Sequence, residues 1–519
     1  MKATKFLYTC AVAALLTSCV EDEGSYDLHP INEIKIDGIE ESYSKVSKSE
    51  SLTIEPKVEL SMKDVDESNL VYQWFFTSGD PINKKHLVIG NEKNLNYKVD
   101  IAPGSYTLNF QIYDKTTGLK WEKETTLKSI SPMVRGLYLF GDKEDGTCGI
   151  DFVSMMDKRD TMVVSDIFIN SKQLKGAQNL AFSGTDYKPD NVRLYAVTQS
   201  GTHALEFSSS KTAIDVDEDI TTDRMFFPTI PVSKPLKIVN IAPGTFGPDN
   251  RSLNSRSRVM LTENEIFMTY DMYSGEAYGN PVNHYQNSKD LFKPFPKLFY
   301  DGSSSYLKFV YAYDMTNHRF VGFNGWSFGY ANYAMEIQEQ SDTPFSFDQT
   351  KYDPVRDLVH LDNGKQNSGR SYALMKDANN DFFIYMFAAK QGISKKGAAD
   401  VDKSVAIDSD KASHYTFFSA QTIVLYSVGS QLWAYDYQRN DAKMVKDFGA
   451  EITYLSMDEH SGDEPTDFIV ATYSNADKGV VSKFTLADDQ NAIKVTPKEK
   501  EVWKTGLRVV KVEYRNCPL

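Results

Sequence analysis

The residues best suited to chemistry in this chain are aromatic. Gly322-Phe323-Asn324-Gly325-Trp326-Ser327-Phe328-Gly329-Tyr330-Ala331-Asn332-Tyr333 sets Trp326, Phe328, Tyr330 and Tyr333 among glycines and asparagines. Flat rings with amides beside them suit a sugar face or a peptide side chain, because a ring gives large contact area for little lost rotamer freedom. The same rings could instead fill the space between packed sheets. A weaker version runs from Tyr270 to Tyr278 and offers Tyr273 and Tyr278. These six side chains are the candidate ligand contacts.

Catalytic patterns are missing by comparison. The eight histidines include no pair at the HExxH spacing of a metal-binding helix. There is no Gly-x-Ser-x-Gly elbow, phosphate-binding loop or dinucleotide fingerprint. A glycosidase pair can come from distant strands, but with 71 acidic residues the sequence selects none. Asp215-Val216-Asp217-Glu218-Asp219 places oxygens at alternate positions, without the glycine turn and closing glutamate of a calcium loop. It reads as a solvated acidic loop. Asp377-Ala378-Asn379-Asn380-Asp381 reads as a turn. No catalytic residue, metal or cofactor is expected. The expectation is a binding protein; the alternative is a surface hydrolase acting on a glycan or peptide.

The N-terminus gives an address. Lys2 and Lys5 precede an apolar run from Phe6 to Leu16, followed by Leu16-Thr17-Ser18-Cys19. This has the charge and length of a signal peptide, and it is too short to span a bilayer. The tetrapeptide resembles a bacterial lipobox, which implies removal of residues 1–18 and lipidation of Cys19. Two or more acyl chains hold a protein stably at a membrane. Val20-Glu21-Asp22-Glu23-Gly24 then resembles the surface-export signal of Bacteroidetes lipoproteins. Together they imply an outer-membrane protein, lipid-anchored and facing the medium, with residues 19–30 as a lipidated linker.

The chain of 519 residues is long enough for two or more domains. Its formal charge is −14, and loss of Lys2 and Lys5 leaves it more negative still. That balance argues against nucleic acid, which needs a basic footprint. Tyr and Phe are abundant, at 30 each, in many short alternating runs, so the chain is expected to be all-β. Cys148 and Cys517 remain once Cys10 and Cys19 are set aside. In an exported protein they are a disulfide candidate, or two free thiols.

Residues 31–131 read as a β-sandwich. Leu70-Val71-Tyr72-Gln73-Trp74-Phe75-Phe76 alternates, with Tyr72, Trp74 and Phe76 on one face. Trp74 then reads as the inter-sheet residue of an immunoglobulin-like strand. Pro103-Gly104 turns into the strand from Tyr106 to Asp114, and Thr116-Thr117-Gly118 turns into the strand from Leu119 to Lys128. Tyr72-Gln73-Trp74, Pro103-Gly104-Ser105-Tyr106-Thr107-Leu108 and Tyr113-Asp114 together resemble the PKD-type sandwich, and most of all the PKD-like lipoproteins of Bacteroidetes. That resemblance covers roughly the first quarter of the chain. It implies a spacer or adhesive module and, as partner, a SusC/SusD-type uptake complex of the outer membrane.

Residues 135–519 change style. Paired strands recur at about 45 to 65 residues, such as Phe309 to Asp314 with Arg319 to Phe323, and Ile423 to Tyr426 with Leu432 to Tyr437. About seven such units, the first a single strand from Gly136 to Phe140, fit a β-propeller, with seven blades the expected number. The alternative is two stacked sandwiches. In a ring, Leu507 to Tyr514 would complete the blade begun at Gly136 and bring Cys517 near Cys148.

Overall fold

The computed structural model describes residues 31–516, apart from 63–65, 78–85, 157–158, 186–187, 207–211, 222–224, 243–256, 271–276, 302–308, 325–332, 340–343, 390–391, 459–465, 488 and 490. The protein is all-β, and its chain divides into two compact units.

In the first unit, the strands Ser42–Val46, Lys120–Ile130, Gly104–Asp114, Leu70–Thr77 and His86–Gly90 form one sheet in that spatial order. Two antiparallel pairs, Ile34–Asp37 with Lys57–Leu60 and Ser51–Ile54 with Leu95–Lys98, supply the other layer. The alternation of Leu70–Thr77 decides what meets between the layers. Trp74 is wholly buried and its ring lies 4.5 Å from that of Phe110. Phe76 meets Tyr97 edge-on at 5.8 Å. The indole N–H of Trp74 donates to the carbonyls of Glu92 and Lys93, so burying it leaves no unpaired donor.

The second unit holds seven successive sheets among the described residues. They are called blades here. Blade 1 is built from Arg135–Asp142, Cys148–Ser154 and Met162–Val164, completed by the last strand of the chain, Arg508–Asn516. Blades 2 to 7 occupy residues 177–221, 238–270, 299–336, 356–400, 414–447 and 451–505. Among the described residues each has four antiparallel strands except blade 3, for which three are described. A small sheet cannot bury both faces alone, and stacking blades covers them.

Seven clusters of buried apolar side chains do the stacking, each shared by consecutive blades. The seventh joins Ile469, Ala471, Val481 and Trp503 of blade 7 to Leu137, Leu139, Val509 and Val512 of blade 1, which closes the ring. The second unit is therefore a closed β-propeller. Its closing strand pairs antiparallel with the first, Arg135 opposite Asn516 and Asp142 opposite Arg508. The register slips between Phe140 and Gly141. A Cβ on Gly141 would collide with the Arg508 carbonyl, so glycine is what lets the two strands meet at this bulge.

Cys148 sits opposite Asp142 at the start of the second strand of blade 1. Cys148 is a buried free thiol, pushed up to about 12 by burial and by Asp142. Cys517 itself lies outside the described residues.

Candidate ligand cavity

The innermost strand of each blade faces the middle of the ring. These strands are Arg508–Asn516, Ala177–Thr185, Ile238–Ala242, Phe299–Tyr300, Arg356–Asn363, His414–Phe418 and Glu451–Met457 for blades 1 to 7. Several of them set polar residues among the apolar ones. Arg356–Asn363, for example, reads Arg-Asp-Leu-Val-His-Leu-Asp-Asn and is only partly buried. Their polar side chains stitch blade to blade. The Asn179 amide donates to the carbonyls of Ile238 and Val239 at 3.2 and 3.1 Å. Asn240 accepts from the Leu298 N–H, and Asn363 accepts from the Tyr300 N–H while donating to the Leu298 carbonyl. Asp362 accepts from the Phe417 N–H at 2.8 Å, and Thr416 accepts from the Met457 N–H at 3.2 Å.

These strands enclose a cavity of about 200 Å³ with walls from blades 1, 2, 3, 4, 5 and 7. Its polar lining includes Asn179, Asn240, Asn363, Lys297, Tyr300, Tyr454, Asp458, Lys511 and Glu513. Leu137, Leu180, Val239, Ile469 and Val512 supply apolar surface between them.

The charges on and behind this lining are matched. Lys297 lies 2.5 Å from Asp362, which also meets the His360 ring at 3.1 Å. Burial alone would raise the Asp362 carboxyl, but Lys297 and His360 outweigh it and hold the group well below the usual range. Asp458 lies 2.7 Å from the buried Lys483, which reaches Glu501 at 3.1 Å. Burial pulls the Lys483 ammonium down, and the two carboxylates push it up further than that. The third pair, Lys511 with Glu513, is looser at 3.7 Å. Here burial wins, and the Glu513 carboxyl is raised despite its lysine. Burial likewise raises the Tyr454 hydroxyl, so it remains a donor near neutral pH.

The two described candidates named from sequence, Tyr278 and Tyr333, do not line this cavity. Trp326, Phe328, Tyr330 and Tyr273 lie outside the described residues, as does Cys19. The segment carrying Trp326 leaves the third strand of blade 4 at Asn324 and returns to the fourth at Met335. Tyr333 is half-buried. Tyr278 is corrected. It is 1% exposed, stacked on Phe226 at 5.2 Å, and belongs to the cluster between blades 2 and 3. A ring sealed into an interface cannot receive a ligand. Asp377 accepts from the N–H groups of Asn379 and Asp381, which makes that segment a turn. Asp215 accepts from the Ser171 N–H, and the stretch read as a solvated acidic loop is corrected: Val216–Thr221 is the outer strand of blade 2, paired with Gly201–Leu205. Among the described residues no group of three or more His, Cys, Asp or Glu is placed to hold a metal.

The cavity residues were missed because they are dispersed polar residues on inner strands. One signal was present. In Val510-Lys511-Val512-Glu513 the period-two pattern puts Lys511 and Glu513 on one face of the closing strand.

Comparison with known proteins adds the following. A model of the PKD-like family matches residues 19–178, which reaches past the sandwich through the N-terminal strands of blade 1. No curated protein sequence matches the chain. Among solved structures, the chain is similar to a quinonprotein alcohol dehydrogenase-like protein from Bacteroides thetaiotaomicron, at 13% identity over 91% of this chain and 96% of that one, with a TM-score of 0.39. A proposed 6-phosphogluconolactonase from Bacteroides fragilis shares 10% identity over 74% of this chain and 98% of its own, with a TM-score of 0.41. The extracellular domain of a proposed one-component system from Bacteroides thetaiotaomicron shares 9% identity over 91% and 70%, with a TM-score of 0.35.

Proposed function

We propose that this chain is a non-enzymatic surface lipoprotein, anchored through Cys19 to the outer membrane and facing the medium. Its work is to hold a nutrient, glycan or peptide, or to dock on a SusC/SusD-type transporter. The observation that carries the binding role is the central cavity, walled by inner strands from six blades and lined by groups that donate and accept hydrogen bonds. Closed rings keep such a lining rigid, and a preorganised lining binds without the cost of ordering it. The lipobox and the acidic residues after it support the address. The PKD-like match supports a link to lipoproteins of that family.

Two measurements test this reading. Mass spectrometry of the mature protein should find a fatty-acylated Cys19; an unmodified cysteine would remove the anchor. Affinity purification of the tagged protein from its native outer membrane should bring down a transporter subunit. If none accompanies it, the docking role falls. Turnover of any bound glycan or peptide would replace the binding role with that of a hydrolase.

A further inference from the structure

We infer that the central cavity binds a small, uncharged, polyhydroxylated molecule of about monosaccharide size, gripped in part by Lys511 and Glu513 of the closing strand. The inference rests on the binding role proposed above and assigns it a site and a ligand class.

Size comes first. A cavity of about 200 Å³ is smaller than the pockets that take drug-sized ligands, which run from about 300 to 1,000 Å³. It has room for one small ring and not for a peptide segment. Charge comes second. The lining carries two lysines, Lys297 and Lys511, and two carboxylates, Asp458 and Glu513, and each lysine has a carboxylate beside it, Asp362 at 2.5 Å from Lys297 and Glu513 at 3.7 Å from Lys511. An anion or a cation entering this balanced field would lose hydration without finding a matching excess of charge. A hydroxyl group suffers no such loss, because it both donates and accepts.

The lining supplies both kinds of partner. Glu513 is of acceptor type and Lys511 and the Tyr300 hydroxyl are of donor type, while the Asn179 and Asn363 amides and the Tyr454 hydroxyl already donate to backbone carbonyls and fix the wall around them. Apolar patches from Leu180, Val239 and Val512 lie between them. A sugar ring has that alternation, with C–H faces and hydroxyl edges. Lys511 with Glu513 is the pair that has both members on the lining, and at 3.7 Å it is wider than Lys297 with Asp362 or Lys483 with Asp458, so it can admit a ligand hydroxyl at least cost. Both residues belong to Arg508–Asn516, the strand that closes the ring. A ligand held by that strand binds the closed ring and not an opened one, so occupancy and closure are linked.

The test is titration calorimetry of the purified protein with glucose, galactose, mannose and xylose, beside galacturonate and glucosamine as charged counterparts. At least one uncharged sugar should bind, and the charged counterparts about tenfold or more weakly. Glu513→Gln and Lys511→Met should each weaken binding about tenfold, the worth of one charge-assisted hydrogen bond. The bound sugar should also slow amide hydrogen exchange in residues 508–516. If either variant loses its thermal transition, exchange in the unaltered protein decides instead. Sugar binding that is unchanged in both variants, with no protection of the strand, overturns the cavity assignment and leaves the binding role standing. Tighter binding of a charged counterpart overturns the ligand class. No binding by any of the four uncharged sugars overturns the inference, while co-purification of a transporter would still uphold docking.

Discussion

The two units of this protein solve the same burial problem in different ways. The sandwich gathers its core around one large residue. Trp74 is wholly buried, touches Phe110 and has its polar atom satisfied inside the core. The ring has no such centre. Its apolar side chains are divided among seven clusters, each useless unless two blades meet. A central core fails at a residue, whereas a ring fails at a seam.

The seam is the seventh cluster, and breaking it should have the largest effect. Ending the chain after Gly506 would remove Leu507, Val509, Val512 and Tyr514 from that cluster, all at most 6% exposed. At about 1.5–3 kcal/mol for each buried side chain, the loss is about 6–12 kcal/mol. A domain's whole stability is about 5–15 kcal/mol. Scanning calorimetry should show the ring's transition gone or greatly lowered, with the sandwich transition in place. A truncated ring that melts like the intact one would show that the seam is not what holds it.

Trp74→Ala makes the reciprocal break. Removing a buried tryptophan typically costs about 3–5 kcal/mol. The sandwich transition should fall while the ring's stays where it was. Equal shifts in both transitions would mean that the two cores are energetically one.

The same contrast explains what could be read from the sequence. In six of the seven blades the second and third strands were legible, as in Phe309–Asp314 with Arg319–Asn324 and Ile423–Val428 with Gln431–Asp436. These strands sit mid-blade with neighbours on both faces, so they are nearly continuous apolar and aromatic runs. The outer strands were not legible. Ser394–Asp400 reads Ser-Lys-Lys-Gly-Ala-Ala-Asp, because one face is at the rim. Apart from the closing strand, the inner strands were missed for a related reason: they turn Asn179, Asn240 and Asn363 toward the middle of the ring. The site was therefore hidden in single polar residues dispersed over several short strands. Tyr278 misled in the opposite direction, since an aromatic in a glycine-containing stretch looks like a ligand platform until its neighbours are known. Closure by residues 507–514 was legible, because an alternating strand at the far end of a propeller has one place to go.

The smallest of these effects concerns acid, and it separates the units by how they use charge. Ion pairs of the sandwich, such as Lys35 with Asp37, are exposed and contribute little. The ring buries some of its own. Lys395 is 1% exposed in its side chain and lies 2.6 Å from Glu339, with the rings of Phe345 and Phe347 beside its ammonium. Burial pushes the Glu339 carboxyl up, but Lys395, the Ser346 hydroxyl and the N–H groups of Asp348 and Phe347 pull it down to about 2, from an ordinary 4.5. A carboxyl with a lower value when folded stabilises the fold above its unfolded value and loses that contribution as pH falls toward its folded one. The ring should therefore lose about 1–3 kcal/mol between about pH 5 and pH 2 through this pair. Asp362 acts in the same direction, since its carboxyl is also held low. Glu513 acts in the other, because its raised carboxyl is relieved by taking up a proton. Thermal melts of the ring across that range should fall with acid more steeply than those of the sandwich. Glu339→Gln should flatten the slope, whereas Glu513→Gln should act at higher pH, above the ordinary value of 4.5, and leave the slope below it unchanged. If Glu339→Gln leaves the slope as it was, the buried pair does not set the ring's acid sensitivity.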